Sequence, residues 1–402
     1  MIRRYKKSIL FLLDSLHEAR REPFQNIEKW LALQENLIKR IIYVENRIRS
    51  NKKEIKDLNF YRKKPNKRVP KEESILLKER IRTLKNQIES YKTVIQIYQS
   101  IGDGIAFTFI HKFDIKPQNF KQKAGFISQK KGFTKEKQVL RYSFKKKQIA
   151  ILNDITSVLR YSDIILITEN GIKAIEVKSS DNVNKRVQRQ KDNAEKLFDY
   201  LSNDVSIGLY QENLVMQRIE SSSLDVDYIK DFNLLIARCN GKGIKAKIFE
   251  KGMLCIVAHN HFDKKKLDKI VSESDLKKPF GFNINSHKFT EQGYYPFSLS
   301  FEKSESYWDF IIGGLNILFL VDLNVIEDIA TKNGFKVNVT GNMDYGLDFI
   351  NVSNSIPVEK IKMSHHYINR TVMEFASLKW LTEQTFNQFD KVKEMVAKKN
   401  LP

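Results

Sequence analysis

The sequence predicts a multidomain α+β protein: a long N-terminal helical hairpin, a central α/β core with a mixed sheet, and a mixed C-terminal domain. Apolar residues recur at alternating spacings of four and three before residue 101, which is typical of packed helices. Short apolar strands separated by turns follow residue 148. The chain has 402 residues, more than one ordinary domain. We expect domains at 1–101, 102–260 and 261–402.

The N-terminal region predicts two helices that fold back on each other. Pro65 and Pro70 interrupt the helical pattern, and a short loop between long helices favours an antiparallel hairpin. The same apolar seams could pair between two copies, so a homo-oligomer through the hairpin is open. The segment Ile101-Gly-Asp-Gly is interpreted as the helix end, with Asp103 in a turn. The seam residues are Ile27, Trp30, Leu37, Ile41, Val44, Ile48, Ile55 and Leu58, then Leu77, Ile81, Leu84, Ile88, Tyr91, Ile95 and Tyr98.

Charge is distributed very unevenly along the chain. The 70 Lys and Arg against 48 Asp and Glu give a net charge of +22. Residues 1–150 hold 37 basic and 15 acidic side chains, so the remainder is neutral. A general lysine bias would raise lysine throughout, whereas a localised field attracts a polyanion. The distribution therefore favours nucleic acid as a partner.

The most basic stretch is residues 116–147, with eleven Lys or Arg and a single acid, Glu136. Its lysines have almost no neighbouring acids to pair with, which favours contacts with phosphates. Interleaved aromatic residues could stack on unpaired bases, but packing into the core is the favoured interpretation. The predicted nucleic-acid-binding residues are Lys130, Lys131, Lys145, Lys146 and Lys147.

Apolar runs predict strands at 149–159, 163–168 and 172–178, then a helix at 181–201. Glu169-Asn-Gly171 predicts a tight hairpin turn between the last two strands, because Asn-Gly suits such turns. Further strands are predicted at 232–238, 244–249 and 253–258, and a hairpin at 336–352.

The first of these hairpins carries the candidate site. Glu176 and Lys178 lie two residues apart on one strand and project from the same face. Asp163 begins the neighbouring strand and falls opposite them. Mg²⁺ prefers carboxylate oxygens, water and phosphate, and the Val177 carbonyl could supply another oxygen. The alternative is a cross-strand salt bridge at a sheet edge.

Asp163, the hairpin and then Glu176-Val177-Lys178 resemble the motif of the PD-(D/E)XK superfamily of restriction-endonuclease-like nucleases, over about residues 135–215. The resemblance implies that Asp163 and Glu176 bind Mg²⁺, which Mn²⁺ could replace, and that Lys178 serves the attacking water. It also implies an acid on the first helix, for which Glu136 is the candidate. Ser162 stands where the motif often has proline. The following helix should present polar residues to the site: Arg186, Arg189 and Gln190.

These observations predict a Mg²⁺-dependent endonuclease, with DNA favoured over RNA by the resemblance alone. A restriction or antiphage defence role fits the architecture, and so does DNA repair or junction cleavage. The rival hypotheses are a non-catalytic nucleic-acid-binding protein with a vestigial nuclease core, or an oligomeric scaffold built on the helices.

Several other classes lack support in the sequence. There is no Gly-x-x-x-x-Gly-Lys phosphate loop and no Gly-x-Ser-x-Gly elbow, so neither ATP hydrolysis nor acyl hydrolysis is indicated. The two cysteines, Cys239 and Cys255, exclude a disulfide-rich scaffold. No apolar run approaches the length of a membrane span, so we expect a cytoplasmic protein without a membrane partner.

Overall fold

The computed structural model has a mixed α+β architecture, which confirms the predicted fold class at that level. Its residues form two compact units, Met1–Leu214 with Pro296–Leu299, and Val215–Tyr295 with Ser300–Pro402. The three predicted domain ranges stay predictions. The structure describes residues 1–63, 69–119, 125–169, 171–177, 185–209, 214–221, 223–239, 243–289, 293–340, 346–352 and 360–399.

The first unit begins with three helices, α1 (Lys6–Arg21), α2 (Ile27–Arg62) and α3 (Lys71–Phe109). Partners along α2 and α3 run in opposite directions, so the predicted antiparallel hairpin is confirmed. The pairs that show this are Tyr61 with Glu73, Glu54 with Arg80, Asn51 with Gln87, and Arg47 with Tyr91.

Both predicted seams are buried within the chain. Trp30, Leu37 and Val44 of α2 are fully buried, as is Tyr98 of α3. The ends of the seams, such as Ile55, are only half-buried. Burial of these apolar side chains stabilises the hairpin without a second copy of the chain. A homo-oligomer stays a prediction.

Helix α3 does not end at residue 101. It continues through Gly102 and Asp103 to Phe109, so the predicted turn at Asp103 is wrong. The buried Asp103 carboxylate accepts hydrogen bonds from Ser157 N and Ser157 Oγ, both at 2.6 Å. A Cβ on Gly102 would lie 2.1 Å from the Ile155 carbonyl oxygen. The glycine therefore permits a close contact between α3 and the 153–157 segment, and the helix continues past it.

The rest of the first unit surrounds a small sheet. Strand β1 pairs antiparallel with β2, and β2 with β3, with Ile164 opposite Ile175 and Thr168 opposite Gly171. The predicted hairpin is confirmed, whereas the predicted mixed sheet is not seen: both described pairings of the β1–β3 sheet are antiparallel. The elements are α4 (Lys112–Ile115), α5 (Phe133–Lys145), β1 (Ala150–Leu152), β2 (Ile164–Thr168), β3 (Gly171–Ile175), α6 (Lys185–Asn203) and β4 (Val205–Ile207).

Strand β1 is shorter than predicted because Asn153 begins a 3-10 turn, Asn153–Ile155. The edge of β1 that faces away from β2 is satisfied by one buried side chain of α2. Gln34 donates its amide to Ala150 O at 2.8 Å and accepts from Leu152 N at 2.9 Å. A side chain of the helical hairpin thus replaces a neighbouring strand.

The second unit contains two further antiparallel sheets, ordered β6-β7-β9-β8 and β10-β11-β12. Its elements are β5 (Val215–Gln217), α7 (Ile229–Cys239), β6 (Ile244–Glu250), β7 (Met253–His259), α8 (Lys264–Ser272), β8 (Pro279–Asn283), α9 (Ile284–His287), α10 (Phe297–Ser300, which begins in the first unit), α11 (Ser304–Ile312), β9 (Leu315–Asp322), α12 (Leu323–Lys332), β10 (Phe335–Val339), β11 (Leu347–Asn351), β12 (Lys360–Met363), α13 (His366–Met373) and α14 (Leu378–Lys399).

Predictions for the second unit are confirmed in part. Strands β6 and β7 and the β10–β11 hairpin lie where the sequence predicts them. The predicted strand at 232–238 is wrong, because these residues belong to helix α7. Phe232, Leu235, Ile236 and Cys239 are buried at helical spacing, and Phe232 stacks on Phe375 at 4.2 Å.

Across the described parts of both units, no helix combines the length and apolarity needed to cross a bilayer.

The contact at Gly102 gives a test of the fold. Gly102→Ala should destabilise the protein by roughly 1–3 kcal/mol, because the new methyl group would overlap backbone that cannot move aside cheaply. Gly125→Ala is the matched control, since nothing lies within 4 Å of its Cβ position. Urea unfolding of both variants measures the difference. Equal stability of Gly102→Ala and Gly125→Ala would contradict the close contact.

Candidate active site

Three acids and one lysine meet beside the β1–β3 sheet of the first unit. Lys130 Nζ lies 2.8 Å from Asp154 Oδ2, 2.8 Å from Asp163 Oδ1 and 3.0 Å from Glu136 Oε2. Because each oxygen contacts the same nitrogen, the three carboxylates converge on one point. We call Glu136, Asp154 and Asp163 the carboxylate cluster.

The cluster is largely withdrawn from solvent. The exposed fraction of the side chain is 2% for Glu136, 8% for Asp154 and 15% for Asp163, against 30% for Lys130. Buried like charges are costly without a cation, so the lysine is needed for the acids to stay ionised together.

Helix α5 and the segment before it supply Glu136 and Lys130. Gly132 caps α5 with a left-handed φ of 97°, which turns the chain between these two residues. The segment preceding Lys130 is held by a buried acid of α2: Glu45 accepts hydrogen bonds from Ile127 N at 3.0 Å and Ser128 N at 2.8 Å.

The 3-10 turn after β1 supplies Asp154. Asn153 N donates to Asp163 O at 2.9 Å, and the Asn153 side-chain amide donates to Ser162 O at 2.8 Å. These bonds fasten the turn to the start of β2, so Asp154 and Asp163 become neighbours. The Asp103 and Gly102 contacts hold the same turn from the side of α3.

Asp163 also contacts the predicted Glu-x-Lys strand end. Its Oδ2 accepts a hydrogen bond from Val177 N at 2.8 Å, and its own N–H donates to Ile175 O at 3.2 Å. The backbone of Glu176 therefore lies between Ile175 and Val177, which both hydrogen-bond to Asp163. The Glu176 side chain is exposed. The hairpin places Asp163 opposite this strand end, as predicted.

Other predicted site residues lie wholly or partly outside the described structure. Lys178 falls outside the described residues. The backbone of Arg186, Arg189 and Gln190 belongs to helix α6, but their side chains are not among those described. Their predicted roles stay predictions, as does that of the Val177 carbonyl.

Burial and mutual repulsion alter the proton affinity of the cluster. Burial and then the Asp163 charge raise the pKa of Glu136 to about 7, against the opposing effect of Lys130. Burial also raises the pKa of Asp154. Although burial disfavours the ammonium, Asp154 and Asp163 hold the pKa of Lys130 above its usual value.

The donor set fits a hard divalent cation, since carboxylate oxygens are its preferred ligands. Glu136 Oε2 is buried without a hydrogen-bond partner and lies 3.0 Å from Lys130 Nζ. The oxygens are, however, spaced around an ammonium. Within the described ranges, no group of three or more His, Cys, Asp or Glu side chains is arranged to hold a metal ion.

The predicted phosphate-binding lysines separate into two groups. Lys131, Lys145, Lys146 and Lys147 are exposed, whereas the Lys130 ammonium is directed into the carboxylate cluster. Among the described aromatics of this tract, Phe133 and Phe144 are buried, as the favoured interpretation predicts. Tyr142 is 60% exposed, with Lys146 Nζ 5.6 Å from its ring centre.

Sequence reasoning missed Asp154 and the buried polar residues that support the site. Asp154 lay inside a strand predicted at 149–159, although Asn-Asp after an apolar run is itself a turn signal. Gln34 and Glu45 are polar residues on the buried side of a helix. Buried polar side chains need hydrogen-bond partners, so a polar residue on the apolar side of a helix indicates a specific contact there. The apolar pattern of the seam alone does not show this contact.

No family model, no curated protein and no solved structure matches this chain.

The raised pKa of Glu136 predicts a pH dependence of stability. Between about pH 4.5 and 7 the unfolded chain releases the Glu136 proton while the folded protein keeps it, so folding loses stability as pH rises. Glu136→Gln removes this loss and should gain on the order of 2 kcal/mol relative to wild type between pH 5 and 8. Urea unfolding in chelator measures it, with exposed Glu169→Gln as the control. A difference independent of pH would contradict the shifted pKa.

Proposed function

We propose that the protein is a Mg²⁺-dependent nuclease that hydrolyses phosphodiester bonds of nucleic acid, with DNA favoured. One observation carries the proposal. The carboxylate cluster lies at the start of the β2–β3 hairpin, and strand β3 leads into Glu176-Val177-Lys178. The order of helix α5, strands β1 to β3 and helix α6 is consistent with the resemblance to PD-(D/E)XK nucleases.

Each residue has a distinct task in this proposal. Asp163 and Glu176, with the Val177 carbonyl, would hold the metal ion, and Glu136 and Asp154, the other members of the carboxylate cluster, would supply further oxygen ligands. The bound ion would polarise the phosphate and acidify a water molecule. Lys178 would orient that water for attack on phosphorus. One phosphorus–oxygen ester bond breaks, leaving a phosphate monoester and a free hydroxyl.

The exposed lysines at the C-terminal end of α5 and just after it supply the second part of the proposal. Lys145 follows Glu136 by nine residues on the same helix, which corresponds to about 14 Å along its axis. At about 3.6 residues per turn Lys145 lies on the opposite side of α5 from Glu136, so a nucleic-acid strand that contacts Lys145, Lys146 and Lys147 would pass around the end of the helix to reach the carboxylate cluster. The exposed Tyr142 ring could accept an unstacked base beside them.

The ion pairs of Lys130 favour a second candidate function. If its ammonium permanently neutralises the carboxylate cluster, the site is structural and the chain binds nucleic acid without cleaving it. Among cleaving roles, restriction or antiphage defence is the proposed setting, and DNA repair or junction processing would use the same chemistry.

Site variants distinguish cleavage from binding. Glu176→Ala and Lys178→Ala should lower cleavage at least ~100-fold, because each removes a group that acts on metal or water. Their affinity for DNA should change little, since the binding charge lies elsewhere. Glu169→Ala, an exposed acid at the turn of the same hairpin, is the control. Plasmid cleavage and DNA binding are measured in parallel. If both site variants cleaved plasmid at the wild-type rate, the assignment of the active site to these residues would be refuted.

The salt dependence of binding tests the lysines at the C-terminal end of α5 and just after it. Replacing Lys145, Lys146 and Lys147 with Gln should lower affinity and reduce the slope of log affinity against log salt by up to about 3, because fewer counterions are released. The matched control is the same change at Lys264, Lys265 and Lys266, an exposed lysine triplet on α8 in the charge-neutral part of the chain. Binding is measured in chelator at three salt concentrations. Coincident lines for wild type and the α5 variant would exclude this surface.

A further inference from the structure

The Lys130 ammonium occupies the point on which the carboxylate cluster converges. Its distances of 2.8, 2.8 and 3.0 Å to the three acids are those of ion pairs. Mg²⁺ holds oxygen ligands much closer, at about 2.0–2.1 Å. An ammonium and a metal ion cannot share one point, and two cations a few ångströms apart in a partly buried site repel strongly.

We infer that Lys130 is the resident cation of the carboxylate cluster and that a divalent metal ion binds there by displacing its ammonium. The inference rests on the proposed metal-dependent function and concerns how the same site is filled. Lys130 keeps the three acids together in the metal-free protein, and it lowers the affinity of the cluster for metal.

The lysine is the part of the site that can leave. Its side chain is 30% exposed and enters the cluster from the surface, whereas Glu136 is 2% exposed and fixed on α5. A four-carbon stem lets the ammonium rotate into solvent while the backbone stays in place. The preceding segment remains held by the Glu45 bonds to Ile127 and Ser128.

A divalent ion would satisfy the oxygens of the carboxylate cluster better than the Lys130 ammonium does. Glu136 Oε2 contacts Lys130 without a hydrogen bond, so one buried oxygen is poorly satisfied by the ammonium. A divalent ion carries twice the charge and has no directional hydrogen atoms, so it can engage oxygens that an ammonium leaves out. The balance between the two cations sets the metal concentration at which the site fills.

Direct metal binding tests the inference without any nucleic acid. Mn²⁺ binding is measured by titration calorimetry for wild type, Lys130→Met and Lys131→Met. Lys130→Met should bind Mn²⁺ about tenfold or more tightly than wild type, because the competing cation is gone. Lys131→Met removes the same charge from the next residue, which is exposed, and should bind Mn²⁺ as wild type does.

Thermal unfolding with and without Mn²⁺ gives a second readout. It detects Mn²⁺ binding even in variants of low stability. Mn²⁺ should raise the Tm of Lys130→Met more than that of wild type, and a variant that folds only with Mn²⁺ meets the same expectation. Lys130→Gln is the second variant. Equal or weaker Mn²⁺ affinity in both variants overturns the inference.

The two proposals can fail separately. Metal-dependent cleavage by wild type, with unchanged Mn²⁺ affinity in the Lys130 variants, would overturn the displacement of Lys130 and leave the nuclease. Tighter Mn²⁺ binding in those variants, without any cleavage by wild type, would support the displacement and refute the nuclease.

Discussion

The arrangement of the candidate site depends on the contact of one ammonium with three carboxylates. Glu136, Asp154 and Asp163 come from a helix, a 3-10 turn and the start of a strand, and Lys130 contacts all three. Removing water from three acids is unfavourable unless a cation accompanies them. Backbone pairing between Asn153 and Asp163 already makes Asp154 and Asp163 neighbours, and the lysine joins them to Glu136 of helix α5.

The helical hairpin supports this arrangement through buried polar contacts. Gln34 satisfies the free edge of β1, Glu45 holds the segment before Lys130, and Asp103 holds the segment after Asp154. Each side chain satisfies backbone groups that would otherwise be buried without partners. The long helices thus fix the positions of the acidic side chains, in addition to supplying apolar packing.

The parts of the fold that depend on local pattern were predictable. Heptad spacing gave the helical hairpin, and Asn-Gly with alternating strands gave the pairing that brings Asp163 to Val177. Long-range contacts were not predictable from the same patterns. The sequence predicts a phosphate contact for Lys130, because its partners at 136, 154 and 163 meet only in the folded chain. The glycines on either side of Asp103 predict a helix end and a turn there, whereas in the fold Gly102 permits close packing of α3 on Ile155.

Cleavage of DNA by the wild-type protein tests the proposed metal-dependent hydrolysis most directly. Supercoiled plasmid and single-stranded DNA are incubated with it in Mg²⁺, in Mn²⁺ or in chelator, and strand breaks are followed by electrophoresis. A metal-dependent nuclease should break at least one of the two DNAs with either metal ion, and neither of them in chelator. Intact DNA under all conditions, or breaks that persist in chelator, would contradict a metal-dependent hydrolytic centre at the carboxylate cluster.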